Sequence, residues 1–294
     1  MQTAAISDQK WENDHLLVVA ATHGHVNEVR ALLDVANPAV DNYLPLLRAV
    51  SHGHTECVKL LIPVSNITDN LEAALAAGAR GVRDTTDCLK LLLQHKTSTT
   101  DVHDALVICA DNNNCAGLEL LLPHSTTKNN NSALYAAVYN HSVQAFELLL
   151  PVSNPQEDNN GRILQVAANL PLPFFKQLID CIPHPDYNTI NNLLLYCVNS
   201  GDKDKVQALL PHVNVMYRDG RALRTALQYD DHAMAELLYE DSDLTLVLDL
   251  LRKDPKTKEF QIQRLIELEE AQRQNALLKQ VVSVVATPHK TRKM

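Results

Sequence analysis

Apolar residues recur along the chain in paired clusters with a period close to 29 residues. Each period holds a short apolar segment, a polar break, and a second apolar segment that ends in two aliphatic residues, often followed by proline. The last aliphatic residues stand at steps of 29, 31, 29, 28, 32, 28 and 28 residues, at Leu33, Ile62, Leu93, Leu122, Leu150, Ile182, Leu210 and Leu238. A fixed period of this length is typical of stacked helical repeats. Because one such unit cannot cover its own apolar face, we expect neighbouring units to bury it.

The second period shows the two-helix plan most clearly. Residues 43–50 predict a first helix, 51–54 a break, and 55–62 a second helix that ends at Pro63. The break favours glycine or asparagine, because the residue after a helix often adopts a left-handed conformation. We assign this position in five periods to Gly24, Gly53, Asn113, Asn140 and Gly201.

Asn and Asp residues cluster before the first helices, and we interpret them as N-caps that accept bonds from first-turn N–H groups. The clusters are Asp69-Asn70, Asn129–Asn131, Asn159-Asn160, Asn191-Asn192 and Asp219.

The pattern changes after the last period. Residues 244–251 predict a short apolar helix, and residues 256–285 predict one long helix. A stack of repeats needs an atypical last unit to cover its exposed core, and the first part of this region is expected to supply it. The long helix lacks a clean heptad, so a coiled-coil dimer is an alternative that we do not favour. We therefore divide the chain into a repeat domain, 1–242, and a C-terminal region, 243–294.

Two segments resemble the ankyrin repeat. Residues 20–33 read Ala-Ala-Thr-His-Gly-His-Val-Asn-Glu-Val-Arg-Ala-Leu-Leu, and residues 49–62 read Ala-Val-Ser-His-Gly-His-Thr-Glu-Cys-Val-Lys-Leu-Leu-Ile. The family pattern is Ala-Ala-x-x-Gly-His-x-Glu-Val-Val-Lys-Leu-Leu-Leu, which the fourth, fifth and seventh periods follow more loosely. The resemblance covers residues 12–241. It implies an all-α fold, an α-solenoid of about eight ankyrin-like helix-turn-helix repeats with a C-terminal helical cap and a long helix.

The chain departs from the ankyrin pattern in three ways. The usual Thr-Pro-Leu-His opening is absent, and the unit is shorter than the ~33 residues of the consensus, so we expect loops in place of the projecting β-hairpin fingers. The third period has an irregular break at 77–84. The sixth has Leu-Pro-Leu-Pro at 170–173, where we expect a local kink.

The spacers Pro63–Asn66 and Pro151–Asn154 both read Pro-Val-Ser-Asn. They resemble spacers of divergent ankyrin proteins among the effectors of intracellular bacteria. That resemblance implies secretion into a host cell and a host protein as the partner.

The composition and charge of the chain indicate its cellular compartment and the class of ligand that it binds. The chain has 46% apolar residues and a net charge of −9, and the tail after residue 254 carries eight Lys/Arg against four Asp/Glu. The acidic body argues against nucleic acid as a ligand. No apolar stretch reaches the length of a membrane span and no secretory signal is evident at the start, so we expect a cytoplasmic protein. We interpret the six cysteines as reduced core residues.

The sequence gives little evidence for a catalytic, metal or phosphate-binding site. The His-Gly-His motifs at 23–25 and 52–54 could suggest metal ligands, but they recur with the repeat, and we expect the second histidine to bond locally to backbone. Cys109 and Cys115, with His103 and Asp111, include the residue types of a cysteine nucleophile, yet Cys109 stands at a core position. No glycine-rich phosphate loop is present. We therefore expect no catalysis, no cofactor and no bound metal; an enzyme site in the third to sixth periods is the remaining alternative.

The ankyrin resemblance implies one candidate binding surface, a stripe of residues contributed by successive repeats. In ankyrin proteins the two residues after the paired small residues face the concave surface and vary from unit to unit. The matching positions predicted to bind a protein partner are Thr22, His23, Ser51, His52, Asp111, Asn112, Tyr139, Asn169, Asn199, Gln228 and Tyr229. We expect a monomeric protein-binding module; the alternative is an accessory subunit that oligomerises or docks onto an enzyme through the long C-terminal helix.

Overall fold

A computed structural model of the chain describes residues 2–81, 84–155, 162–182, 185–239, 242–253 and 259–285. Within these ranges the chain forms α-helices and short 3-10 turns and contains no strand, so the predicted all-α fold is confirmed and loops replace the ankyrin fingers. The helices are α1 Gln2–His23, α2 Val26–Leu32, α3 Val40–Ser51, α4 Thr55–Leu61, α5 Ile67–Ala79, α6 Thr86–Leu93, α7 His103–Asp111, α8 Cys115–Leu121, α9 Thr127–Tyr139, α10 Val143–Leu149, α11 Arg162–Ala167, α12 Leu172–Asp180, α13 Tyr187–Asn199, α14 Lys203–Leu209, α15 Tyr217–Gln228, α16 His232–Tyr239, α17 Leu244–Lys253 and α18 Glu259–Val285.

The helices form two compact units, residues 1–169 and 170–294. In the first unit the odd-numbered helices α1 to α11 pack side by side in one row, and the even-numbered helices α2 to α10 pack in a second row. In the second unit α12, α14 and α16 form one row, and α13, α15 and α17 form another. Each unit is therefore a stack of helix-turn-helix repeats, as the 29-residue period predicts.

One leucine of each aliphatic pair that marks the period lies in the core of the second helix in six repeats. Leu61, Leu92, Leu121 and Leu149 are fully buried in the first unit, and Leu209 and Leu238 are fully buried in the second. Burying a leucine side chain stabilises a fold by roughly 1.5–3 kcal/mol, so these positions hold each repeat against its neighbours. The prolines that follow stand in single 3-10 turns, such as Ile62–Val64 and Leu150–Val152, and end the helices as predicted.

A left-handed residue joins the two helices in most repeats. Gly24, Gly53, Asn113 and Gly201 have φ between 53° and 75°, as the sequence predicts. The assignment of Asn140 is wrong by one residue, because His141 has φ 58° and Asn140 is the C-cap of α9. The small-residue register of the fifth repeat therefore begins one residue later than the sequence alignment places it.

The asparagines before the first helices are not N-caps where their side chains are described. Thr126 caps α9 and Asp186 caps α13. Asn131 is instead buried within α9, and its amide donates to the carbonyl of Asn154 and accepts from the N–H of Asn154, both at 2.8 Å. These bonds lie between one repeat and the loop that leads to the next.

The same tie recurs at a fixed spacing of 23 residues. The N–H of Asn214 donates to the Oδ1 atom of Asn191 at 2.8 Å, and the N–H of Asn37 donates to the Oδ1 atom of Asp14 at 2.6 Å. Buried Asn131 and Asn191 thus satisfy loop backbone that the missing β-hairpins would otherwise pair. Asn159-Asn160 lies outside the described residues.

Replacing Asn131 with alanine is expected to destabilise the first unit by about 2 kcal/mol, because the N–H and carbonyl of Asn154 lose their partners. Urea denaturation followed by circular dichroism measures this change. Asn192→Ala is the matched control, since Asn192 is exposed on α13. Equal stabilities for the two variants would show that the tie contributes nothing.

The two irregular breaks overlap the segments that the sequence predicts, but their bounds differ. Helix α5 extends through Ala79, into the predicted break at 77–84, and α12 begins at Leu172, inside the segment 170–173. The third repeat has six residues between Ala79 and Thr86, of which 82 and 83 lie outside the described residues. The hydroxyl of Thr85 donates to the carbonyl of Gly78 at 2.7 Å and closes this longer break. In the sixth repeat Leu170 is buried, and the second compact unit begins at this residue.

The C-terminal helices complete the second unit. Helix α17 buries Leu244, Val247 and Leu251, and α18 packs against α15 and α17. Leu265 and Leu268 of α18 are also buried, and the Arg264 guanidinium lies 3.2 Å from the Glu236 carboxylate on α16. The predicted cap is therefore α17 together with the first half of α18. The division of the chain into a repeat domain, 1–242, and a C-terminal region, 243–294, stays a prediction.

Candidate functional site

The predicted partner-binding residues all lie at or directly after the C-terminal ends of first helices. Here the name terminal stripe means the two residues that precede the left-handed residue, or its equivalent, in each repeat. Thr22, Ser51 and His52 are half-buried, and the other predicted residues are exposed: His23, Asp111, Asn112, Tyr139, Asn169, Asn199, Gln228 and Tyr229.

The terminal stripe follows the helix rows. Because the first helices pack side by side, the stripe residues of neighbouring repeats stand next to each other within each unit. Val138 and Leu170, which the sequence alignment paired with Tyr139 and Asn169, are buried core residues and not part of the surface. Arg80 and Asn140 occupy stripe positions that the alignment missed, and both are exposed.

Several stripe side chains also cap their own helix. The Nδ1 atoms of His23 and His52 lie 2.9 Å from the carbonyls of Val19 and Arg48, four residues earlier. The amide of Asn112 donates to the carbonyl of Ile108 in the same way, at 3.1 Å. Carbonyls in the last turn of a helix lack full intrahelical partners, so these bonds are structural.

In two repeats the N-cap residue of the second helix connects that repeat to the previous one. The Nε2–H of His54 donates to the carbonyl of Thr22 at 2.9 Å, and the hydroxyl of Ser142 donates to the carbonyl of Asp111 at 3.3 Å. The prediction that the second histidine bonds locally is therefore wrong for His54, because its partner lies in the preceding repeat. These bonds fix the backbone of the terminal stripe.

An aromatic cluster follows the stripe in the fourth to sixth repeats. Tyr139 is 56% exposed, and its ring stacks on Tyr135 with 6.0 Å between the ring centres. The Arg162 guanidinium of α11 lies 4.6 Å from the centre of the Tyr135 ring. Beside it, the amide of Asn140 donates to the Asp111 carboxylate. Arg162 was missed because no repeat signature marks its position.

A second aromatic cluster lies on the first helices of the second unit. Tyr196 is 55% exposed on α13, and Tyr229 is 67% exposed at the end of α15. At the other end of the same helices, Tyr187 and Tyr217 pack edge to face, and the Arg218 guanidinium lies 5.0 Å from the Tyr217 ring centre. The arginines at 218, 221 and 224 could have been noticed from their spacing of three along a predicted first helix.

The candidate catalytic cysteines are poor nucleophiles. Cys109 is fully buried, and burial raises its pKa to about 12. Burial is also the first cause of the raised pKa of Cys115. Thiolate is the reactive form, so neither group is activated at neutral pH. The prediction that all six cysteines are core residues is wrong for Cys181, which is exposed, and for Cys115, which is half-buried.

No metal site accompanies the histidines in the described part of the chain. There, no three His, Cys, Asp or Glu side chains converge as a set of metal ligands would. The rings of His52 and His54 are parallel with centres 6.1 Å apart, and His54 is already bonded to Thr22. None of the described helices combines the length and apolarity that crossing a bilayer requires.

Comparison with known proteins agrees with this architecture. Residues 3–73 and 74–162 match the family model of ankyrin repeats (three copies), which covers more than half of the chain. No curated protein matches the chain significantly.

Proposed function

Because the chain belongs to the ankyrin-repeat family, we propose that it is a non-catalytic module that binds a partner protein through the faces of its first helices. Ankyrin repeats indicate protein–protein interaction as the general role. The terminal stripe and the helix surface beside it supply the contact residues, and no cofactor takes part.

The exposed tyrosines carry this proposal. Tyr139, Tyr196 and Tyr229 each leave more than half of the side chain in solvent. Tyrosine and arginine are enriched among the residues that dominate binding energy, because a large rigid ring with a polar end loses little entropy on contact. Here the rings stand on first helices that neighbouring repeats hold in place, which favours a preorganised interface.

The Pro-Val-Ser-Asn spacers support a narrower form of the proposal. They resemble those of ankyrin effectors of intracellular bacteria, so the partner is a host protein that the chain meets in the host cytoplasm. The net charge of −9 also favours a protein over a nucleic acid as the ligand.

The test is capture of partners from eukaryotic cytosol by the immobilised full chain. We expect a Tyr139→Ala, Tyr229→Ala double variant to lose at least about tenfold of the captured partner, since buried interface tyrosines contribute about 2 kcal/mol or more. Val64→Ala, Val152→Ala is the matched control, because both valines are exposed but follow second helices. Equal loss in the control, or none in the tyrosine variant, would refute the proposal.

One observation favours a second candidate. Leu277 and Leu278, in the latter half of α18, are each 62% exposed, which is typical of a helix that docks or oligomerises. In this alternative the chain is an accessory subunit of an enzyme. A chain that ends at residue 270 separates the two candidates: if it lost the partner while the tyrosine variant kept it, the helix and not the first-helix face would be the docking element.

A further inference from the structure

The first helices of the second unit carry an excess of positive charge. Helices α13, α15 and α17 contain five cationic residues, Arg218, Arg221, Arg224, Arg252 and Lys253, against two acids, Asp219 and Asp249. The whole chain has a net charge of −9. A local field of the opposite sign on an acidic chain selects the charge of what approaches it.

The exposed residues of α13 and α15 make one face. On α13 the exposed positions Asn188, Asn192, Tyr196 and Asn199 recur at helical spacing, opposite the buried residues. On α15 the corresponding positions include Arg221 and Gln228. The two helices pack against each other, so these residues form a continuous surface, here called the α13–α15 face.

Two guanidinium groups on the α13–α15 face are available for a ligand. Arg218 and Arg221 are exposed, and no carboxylate of the described residues pairs with either. By contrast, Lys203 and Lys205 of the same unit form ion pairs with Asp231 and Asp202. A planar guanidinium binds a carboxylate through two parallel hydrogen bonds, which lysine cannot do.

Arg218 is held in position before any ligand arrives. It lies over the Tyr217 ring, the Tyr217 hydroxyl donates to the Asn188 side chain at 3.2 Å, and Tyr187 packs on the ring edge. Its backbone belongs to a left-handed turn, Arg218 to Gly220, that also occurs at Asp41 to Tyr43 in α3. The turn therefore occurs in two repeats, and the arginine at its start is what distinguishes this copy.

Resting on the function proposed above, we infer that the α13–α15 face binds an acidic segment of the partner. Carboxylates of that segment pair with Arg218 and Arg221, while an apolar side chain beside them covers the Tyr196 ring. Tyr229, at the end of the same face, extends the contact toward the terminal stripe.

The test uses the full chain and short fluorescein-labelled peptides of alternating glutamate and leucine, with glutamine in place of glutamate in the control peptide. Fluorescence anisotropy is expected to show binding of the glutamate peptide that weakens as salt increases, and at least about tenfold weaker binding of the glutamine peptide. Arg218→Gln, Arg221→Gln is expected to remove this preference. Arg30→Gln, Lys176→Gln makes the same charge change at exposed residues of α2 and α12 and is expected to keep it.

Three outcomes of the peptide experiment would overturn the inference. These are equal binding of the two peptides, equal loss in the control variant, and tighter binding of an oligothymidylate of similar length, which would assign the face to a phosphate backbone. Partner capture that depends on Tyr139 and Tyr229 but not on Arg218 and Arg221 would refute the inference while the proposed function stands.

Discussion

Replacing Gly24 with alanine is expected to destabilise the first unit by about 2–3 kcal/mol. Gly24 has φ +75°, a conformation that costs a residue with a Cβ atom roughly 1–2 kcal/mol. A Cβ atom there would also lie 2.5 Å from Nδ1 of His54, so the imidazole would have to move. That movement breaks the bond from His54 to the carbonyl of Thr22, which adds about 1 kcal/mol. Urea denaturation measures the sum.

Two comparisons isolate the contact between repeats. Gly201 has φ +71° and open space around the position of a Cβ atom, so Gly201→Ala should cost only the backbone part, about 1–2 kcal/mol. In a His54→Ala background, the additional cost of Gly24→Ala should fall to the same value. If Gly24→Ala lowered the free energy of unfolding no more than Gly201→Ala does, the packing of His54 against Gly24 would contribute nothing to stability.

Removing α18 is expected to destabilise the second unit by about 4 kcal/mol. Leu265 is 1% exposed and Leu268 is 4% exposed, and each contributes roughly 2 kcal/mol of burial. The side-chain amide of Gln261 also donates to the carbonyl of Leu227 at 3.4 Å. A chain that ends at residue 253 would expose the surfaces of α15 and α17 that α18 covers. The free energy of unfolding of this chain is the measured quantity.

A chain that ends at residue 270 is the control for this deletion. It keeps Gln261, Leu265 and Leu268 and removes the exposed Leu277 and Leu278, so its stability should stay within about 1 kcal/mol of the full chain. If the chain that ends at residue 253 had the same free energy of unfolding as the full chain, α17 alone would cap the stack.

The period and the type of fold follow directly from the sequence, because the fully buried positions of the second helices are occupied by leucine in repeat after repeat. The terminal stripe could be located for the same reason, since the small core residues before it fix its register. In the fifth repeat the register failed by one residue, because Asn140 stands beside the actual left-handed residue, His141. Both residue types tolerate that conformation, so composition alone does not separate them.

Contacts between repeats were harder to predict. A repeat pattern aligns positions but does not show which atoms of successive repeats meet. The bond from His54 to Thr22 spans 32 residues, and the tie from Asn131 to Asn154 spans 23. Asparagine is common both at N-caps and in buried side-chain bonds to backbone, so the sequence favoured the interpretation as N-caps. The contact of Arg162 with the Tyr135 ring could not be predicted for the same reason, because it joins two helices whose facing positions carry no shared motif.

Site-specific photo-crosslinking tests the central claim, that the first-helix faces contact the partner. Benzoylphenylalanine would replace Tyr139, Tyr229, Val64 or Cys181 individually, all of them exposed. Tyr139 and Tyr229 lie on the terminal stripe, whereas Val64 and Cys181 follow second helices. After irradiation in eukaryotic cytosol, we predict one common protein adduct from positions 139 and 229 and none from 64 and 181. An adduct that forms from 64 or 181 but not from the stripe would contradict the account.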